Sequence, residues 1–189
     1  MADAAPRKAE RSYAWGPLSA LGLAVAVVAA VADQAAKFWL LWVFDLGSQA
    51  RVAVAPFLDL ALTWNTGISY GLFPQEGPIG QGALLGFKIV AVVFLWVWLA
   101  RASSRLSALA LGLIIGGAIG NAIDRVAYGA VADFVLLHIT TATWTFRWYV
   151  FNLADVGIVS GVVGLLYESA LAKTTHKTVN SAPQKRPDP

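Results

Sequence analysis

The sequence predicts an all-α polytopic membrane protein, with four transmembrane helices and a small extracytoplasmic β-sheet between helices 1 and 2. Three observations predict it. Hydrophobic residues make up 58% of the 189-residue chain and charged residues only 13%, the profile of an integral membrane protein rather than a soluble domain. Four apolar stretches approach the roughly 20 residues that a spanning helix needs. Basic residues gather beside those stretches, at Arg7, Lys8 and Arg11, at Arg101 and Arg105, and at Lys173, Lys177, Lys185 and Arg186. Such clusters mark the cytoplasmic side. The chain has no Cys, which excludes disulfides, thiol nucleophiles and Cys-ligated metal. A net charge of +3, with its basic residues at the span ends, is not a nucleic-acid footprint.

Residues 1–14 read as a disordered basic cytoplasmic terminus, 15–172 as one membrane-embedded domain, and 173–189 as a disordered cytoplasmic tail. Trp15 to Ala32 carries no charge and forms the first span. Ala30-Val31-Ala32 also fits the end of a cleaved signal peptide, but the apolar run is long for one, so an uncleaved span is expected. Asp33 and Lys37 follow at i, i+4 and share a helical face, where they can pair. Arg51 to Trp64 alternates and is rich in Val and Leu, which predicts short strands. Asn65-Thr66-Gly67 has turn chemistry, and Pro74 and Pro78 break the chain before the next helix. The second span runs from about Ile79 to Ala100 and contains Lys88, which either snorkels or faces a polar interior.

Arg101 to Arg105 is a short turn, so the second and third spans are antiparallel neighbours. Leu106 to Ile123 is the third span. Its Gly112, Gly116 and Gly120 repeat every four residues, a small-residue stripe that admits another helix closely. Gly117, Asn121 and Asp124 share a different face, with Arg125 beside them. Thr143 to Val150 alternates polar and aromatic residues, as a strand or an aromatic belt does. His138 has no carboxylate or Ser at useful sequence spacing and reads as an ordinary loop histidine. Asn152 to Ala172 is the fourth span, with Asn152 and Asp155 at i, i+3 near its start.

An even number of spans puts both termini on one side, and the basic clusters make that side cytoplasmic. Asp33, Asn65, Asn121, Asp133 and Asp155 then gather at the opposite, outer face. Ionisable groups beside hydrocarbon are costly and default to function, the alternative being helix caps and interfacial anchors. Two close carboxylates cannot both ionise easily, so one keeps a proton and the other can deprotonate water. The chain offers no His-Glu-x-x-His pair for zinc and no Gly-x-Ser-x-Gly elbow. Acid–base chemistry by aspartates is therefore the natural catalytic option, although spacing alone leaves the pair open. Asp124, next to Arg125 on the buried face, reads as a paired supporting group. Asp133 and Asp155 lie at loop boundaries that a substrate bond can reach. The competing class is a proton-coupled transporter or channel using these carboxylates as a relay, which would space them through the membrane depth and show internal repeats.

Five motifs carry a resemblance: Asp33-Gln34-x-x-Lys37, Asn65-Thr66-Gly67-Ile68-Ser69-Tyr70-Gly71, Gly116-Gly117-x-x-Gly120-Asn121-x-x-Asp124-Arg125, Gly129-x-Val131-x-Asp133-Phe134, and Phe151-Asn152-x-Ala154-Asp155. In this order, over residues 15–172, the chain resembles the bacterial lipoprotein signal peptidases, or signal peptidase II. The resemblance implies a membrane aspartic endopeptidase without metal or cofactor, whose catalytic dyad corresponds to Asp133 and Asp155. It implies that Asn65, Gly67, Asn121, Asn152 and Arg125 line the site or hold the substrate, and that Asp33, Lys37 and Asp124 support it. The implied substrates are prolipoproteins cut just before a diacylglyceryl-modified lipobox Cys, and the implied inhibitors are of the globomycin type. The implied setting is the bacterial inner membrane, in contact with lipid, and a monomer is expected. The segment from Trp64 to Phe73 is expected to clamp the substrate.

Overall fold

The computed structural model describes residues 14–67 and 78–180. Four helices form a bundle: α1 Ser19–Phe38, α2 Pro78–Leu99, α3 Arg105–Tyr128 and α4 Leu153–Asn180. Beyond α1 the chain winds one wider turn over Trp39–Val43, then a tight one over Leu46–Ser48. Strands β1 Val52–Ala55 and β2 Leu58–Asn65 separate α1 from α2. Strands β3 Val131–Thr140 and β4 Thr145–Arg147 separate α3 from α4. Among the described residues three segments are long and apolar enough to cross a membrane, Ser19–Val43, Arg105–Tyr128 and Leu153–Ala172, while the apolar part of α2 is the shorter Leu85–Leu99. The side chains these helices turn outward are apolar, among them Val28, Phe87 and Leu166, as expected where lipid replaces water.

Lipid tails are as apolar as leucine, so helices in a bilayer associate through close packing rather than hydrophobic exclusion. The glycine stripe on α3 supplies that packing against α1. A Cβ on Gly112 would lie 2.6 Å from the Gly22 carbonyl oxygen, and one on Gly116 would strike the Ala26 carbonyl. Gly117 and Gly161 do the same between α3 and α4, against Ala154 and Ala110. Gly161 thus packs on the helix that carries the stripe. Leu99, Ala108, Leu111 and Ile115 close the core at one end.

That end also holds the α2–α3 turn, which Ser104 caps by accepting the Ser107 N–H at 3.0 Å. Trp96 donates to the Ala14 carbonyl at 3.0 Å, and Ser107 donates to Glu168. The chain leading into α1, the end of α2, the start of α3 and the late part of α4 therefore meet. At the other end α1 and α3 finish and α4 begins, and the strands leave from there.

The sheet differs from the expectation. It has four antiparallel strands in the order β1-β2-β3-β4, so it joins the α1–α2 connection to the α3–α4 connection. The alternation at Arg51–Trp64 does form β1 and β2, but β2 finds its second partner more than 60 residues away, with Asn65 opposite Val131 and Thr63 opposite Asp133. His138 is likewise no loop histidine. It lies on β3, opposite Arg147 on β4, with Nε2 3.0 Å from Asp59 of β2. Arg51 also pairs with Asp59. Sequence spacing hid this partner because strand pairing, not local distance, supplies it. Burial works against the Asp59 carboxylate, but hydrogen bonds and charge from Arg51 and His138 outweigh it, and its pKa lies below the ordinary 3.8.

Candidate active site

Where the helix ends meet the sheet, charged and amide side chains from α1, β2, α3, β3 and α4 form one hydrogen-bonded cluster. Its centre is Lys37, near the end of α1, 2% exposed. An ammonium has three N–H donors, and Lys37 has three oxygen partners. They are Asp33 at 2.7 Å, Asp124 at 2.7 Å and Asn121 Oδ1 at 3.1 Å. The i, i+4 pair is therefore buried and extended by α3 rather than lying on a surface. Asp124 pairs with Lys37, and its sequence neighbour Arg125 donates instead to the Gly67 carbonyl.

The two carboxylates beside Lys37 also tie elements together. Asp33 Oδ1 accepts the Ala154 N–H at 2.9 Å, satisfying a free donor in the first turn of α4. Asp124 Oδ2 accepts the Ala132 N–H at 3.1 Å, fixing the start of β3 to the end of α3. Gly129 makes that return possible. It sits at φ +73°, where a side chain would be strained, and closes α3 by donating to the Arg125 carbonyl at 3.0 Å. Gln34 completes the cage, donating to Asp124 Oδ1 at 2.8 Å and to the Gly120 carbonyl at 3.0 Å. It was legible only as a motif position, because a glutamine on a helix end has no spacing signal of its own.

Asp133 and Asp155 flank this cage. Asp133 is on β3 and 3% exposed. Its Oδ1 accepts Asn152 Nδ2 at 2.6 Å and its Oδ2 accepts Asn65 Nδ2 at 3.1 Å. Asn65 reaches it as a diagonal neighbour across the β2–β3 pair, with its own Oδ1 holding the Gly67 N–H at 3.0 Å. Asp155 is in the first turn of α4. Asn152 Oδ1 accepts the Asp155 N–H at 3.0 Å, and Asp155 Oδ2 accepts the Asn152 N–H at 3.2 Å. This reciprocal pair is a capping box. Asn121 Nδ2 donates to Asp155 Oδ1 at 2.9 Å, while Asn121 Oδ1 accepts Asn152 Nδ2 at 3.0 Å. Asn152 therefore contacts both aspartates, and the Lys37–Asn121 bond fixes which way the Asn121 amide points.

Burial, reinforced by the charge of Asp155, pushes the Asp133 pKa up to about 6; hydrogen bonds from Asn65 and Asn152 and the charge of Lys37 restrain the rise. A carboxyl raised in this way beside a second carboxyl is suited to holding a proton near neutral pH. Among the described residues no cluster of His, Asp and Glu has the geometry of a metal site. Asp33, Lys37, Asn65, Gly67, Asn121, Asp124, Arg125, Asp133, Asn152 and Asp155 all belong to the one cluster. The motif residues 68–71 and most of the expected clamp, Trp64 to Phe73, lie outside the described residues.

A model of the family described as Signal peptidase (SPase) II matches residues 25–171. The lipoprotein signal peptidase of Nitrobacter hamburgensis is 61% identical over 150 residues, which cover 79% of this chain and 92% of that protein. The lipoprotein signal peptidase of Rhodopseudomonas palustris strain TIE-1 is 58% identical over 151 residues, 80% of this chain and 92% of that one. A bacterial membrane enzyme solved by the in meso method shares the fold with a TM-score of 0.67 at 24% identity, over 89% of this chain and 95% of that one.

Proposed function

Since this chain belongs to the signal peptidase II family, and so is an aspartic peptidase of the bacterial inner membrane that removes signal peptides from lipoproteins, we propose that Asp133 and Asp155 are its catalytic dyad. The observation that carries this is Asn152, which bonds both carboxyls and holds them on separate elements around one point. Asp133, its pKa raised to about 6, is the carboxyl that takes up the dyad's proton in the reactive form. Asp155 takes a proton from water as that water attacks the scissile carbonyl, and Asp133 passes its proton to the carbonyl oxygen. In the second half Asp155 protonates the departing amine, Asp133 recovers its proton, and the C–N bond breaks. Asn65 and Asn121 orient the carboxyls. Arg125 holds the backbone at Gly67 through its carbonyl.

The cut falls just before a diacylglyceryl-modified Cys, and globomycin-type peptides compete for the same site. In this reading α2 is the fourth span, both termini are cytoplasmic and the dyad faces outward, with the sheet covering it and excluding water. Arg101 and Arg105, at the other end of the bundle, support this orientation. The enzyme acts as a monomer. The relay alternative requires carboxylates spread through the membrane depth, whereas Asp33, Asp124, Asp133 and Asp155 form a single cluster at one end.

The test is cleavage of a diacylglyceryl prolipoprotein by the purified chain in detergent. Asp133→Asn and Asp155→Asn should each lose about a hundredfold or more in rate while keeping the wild-type unfolding profile shape. A folded variant of either that still cuts at the wild-type rate would remove it from the dyad.

A further inference from the structure

The catalytic cluster draws its side chains from α1, β2, α3, β3 and α4. The remaining helix, α2, carries one charged residue, Lys88. It is ten residues from the start of α2 and eleven from its end, about 15 Å of helix either way, which is further than a lysine stem can snorkel. Its neighbours Phe87, Ile89 and Val90 are exposed where lipid would lie, whereas Lys88 is half-buried. Val92, Leu95 and Trp96 follow it at i+4, i+7 and i+8, on one helical face. That face packs on the core that contains Leu99, Leu111 and Ile115. Lys88 therefore heads the stripe that α2 turns into the bundle. An ammonium among hydrocarbon is costly, so its default reading is functional.

Its height in the bundle says what for. Lys88 lines a cleft with Ile119, Ala122 and Ile123 of α3, and the walls of that cleft are apolar. The lysine stem meets the cleft, and the ammonium lies elsewhere. The same turns of α3 carry Asn121, Asp124 and Arg125. The Lys88 charge interacts with Arg125 and Asp124 of α3, Asp155 of α4 and Lys37 of α1. Lys37 is engaged by Asp33, Asp124 and Asn121. Asp155 accepts instead from two neutral donors, the Asn121 amide and the Asn152 N–H. A nearby positive charge favours the ionised form of a carboxylate, the form in which Asp155 can take a proton from water.

We propose that Lys88 is a positioning residue for the reaction: its ammonium, turned into the bundle from α2, keeps Asp155 the ionised member of the dyad and so makes it the base. Its part is electrostatic and is exerted through Asp155. The assignment rests on the reading of Asp133 and Asp155 as the dyad of a lipoprotein signal peptidase. The other charged groups around that dyad are Arg125 and Asp124 on α3 and Lys37 on α1, and a change at Lys88 leaves all of them in place.

The test is the pH–rate profile for cleavage of a diacylglyceryl prolipopeptide by the full-length chain in detergent, for wild type, Lys88→Met, Lys88→Gln and Lys88→Arg. Without the cation the dyad ionises less readily. The acid limb of kcat should move up by about one pH unit in both neutral variants, the scale of one unit charge acting through a protein interior, with about a tenfold lower rate on that limb. KM should stay within about twofold of wild type, and Lys88→Arg should keep the wild-type limb. A merely structural lysine would lower kcat by one factor at every pH. An acid limb that stays put in the neutral variants overturns the proposal, whatever the fall in rate, as does a Lys88→Arg limb displaced as far as that of Lys88→Met. Failure of both neutral variants to fold overturns it too, because the charge is then structural. If wild type cuts nothing, the peptidase reading itself fails and this one falls with it. If wild type cuts and the limb does not move, only this one fails.

Discussion

Asp133→Asn should stabilise the protein at neutral pH while abolishing cleavage. Asp133 is buried, and its pKa rises on folding from 3.8 to about 6. At 1.36 kcal/mol per pKa unit, that difference is about 3 kcal/mol. A carboxyl raised on folding contributes stability fully below pH 3.8, and the contribution is lost as pH rises through about 6. At neutral pH the native state therefore carries the whole cost of a buried charge beside Asp155. Asparagine removes that charge and keeps an oxygen for Asn65 or Asn152, but one of its own N–H groups needs a new acceptor. The net gain should be about 1–3 kcal/mol, or roughly 3–10 °C in Tm for a chain of this size. Thermal unfolding in detergent, followed through the eight tryptophans, reads it directly. The gain should shrink or reverse near pH 4, where wild type has regained its proton. A Tm at neutral pH equal to or below wild type, or a gain that ignores pH, would mean that Asp133 carries no buried-charge cost.

Lys37→Met leaves Asp33 and Asp124 buried with no cation between them, and should cost about 3–5 kcal/mol; chemical denaturation in mixed micelles would reveal it, and a loss under about 1 kcal/mol would mean the cage is held by its backbone donors alone. Gly120→Ala places a Cβ 2.6 Å from Asp33 Oδ2 and should cost about 1–3 kcal/mol, with a matching loss of cleavage as Asp33 releases the Ala154 N–H; an unaltered Tm would count against that contact. Asp59→Asn should lower Tm at neutral pH by stripping Arg51 and His138 of their carboxylate. Because the Asp59 pKa is depressed on folding, that stabilisation exists above 3.8 and disappears as pH falls through the folded value, so wild type and variant should converge in acid.

Much of the bundle was legible because its signals are local. Span positions follow from runs of apolar residues, and the Asp33–Lys37 pair from one helical turn. The α1–α3 approach follows from three glycines spaced four apart, whose missing side chains α1 fills. The four-residue gap between Ala100 and Arg105 could only be a tight antiparallel turn. The sheet was half legible. Alternation marked β1 and β2, but a strand does not encode its partner, so the joining of both connections through β2 and β3 went unseen. The Asp59–His138 contact was hidden for the same reason.

The site divides along the same line. Composition and spacing alone mark which residues are polar among hydrocarbon, that they lie at span ends, and that topology must bring them to one face. Their motifs also sufficed to mark the family. Neither composition nor spacing says who bonds to whom. Asp33 holds the first turn of α4 across 121 positions, Lys37 reaches Asn121 across 84, and Asn65 meets Asp133 across 68. Arg125, beside Asp124 in sequence, points to the Gly67 carbonyl instead of its neighbour. These partnerships come from the fold, because a buried charge must find its counter-charge wherever packing brings one within reach. In this molecule helix packing through glycines and strand pairing through β2 set that reach, and the side chains followed.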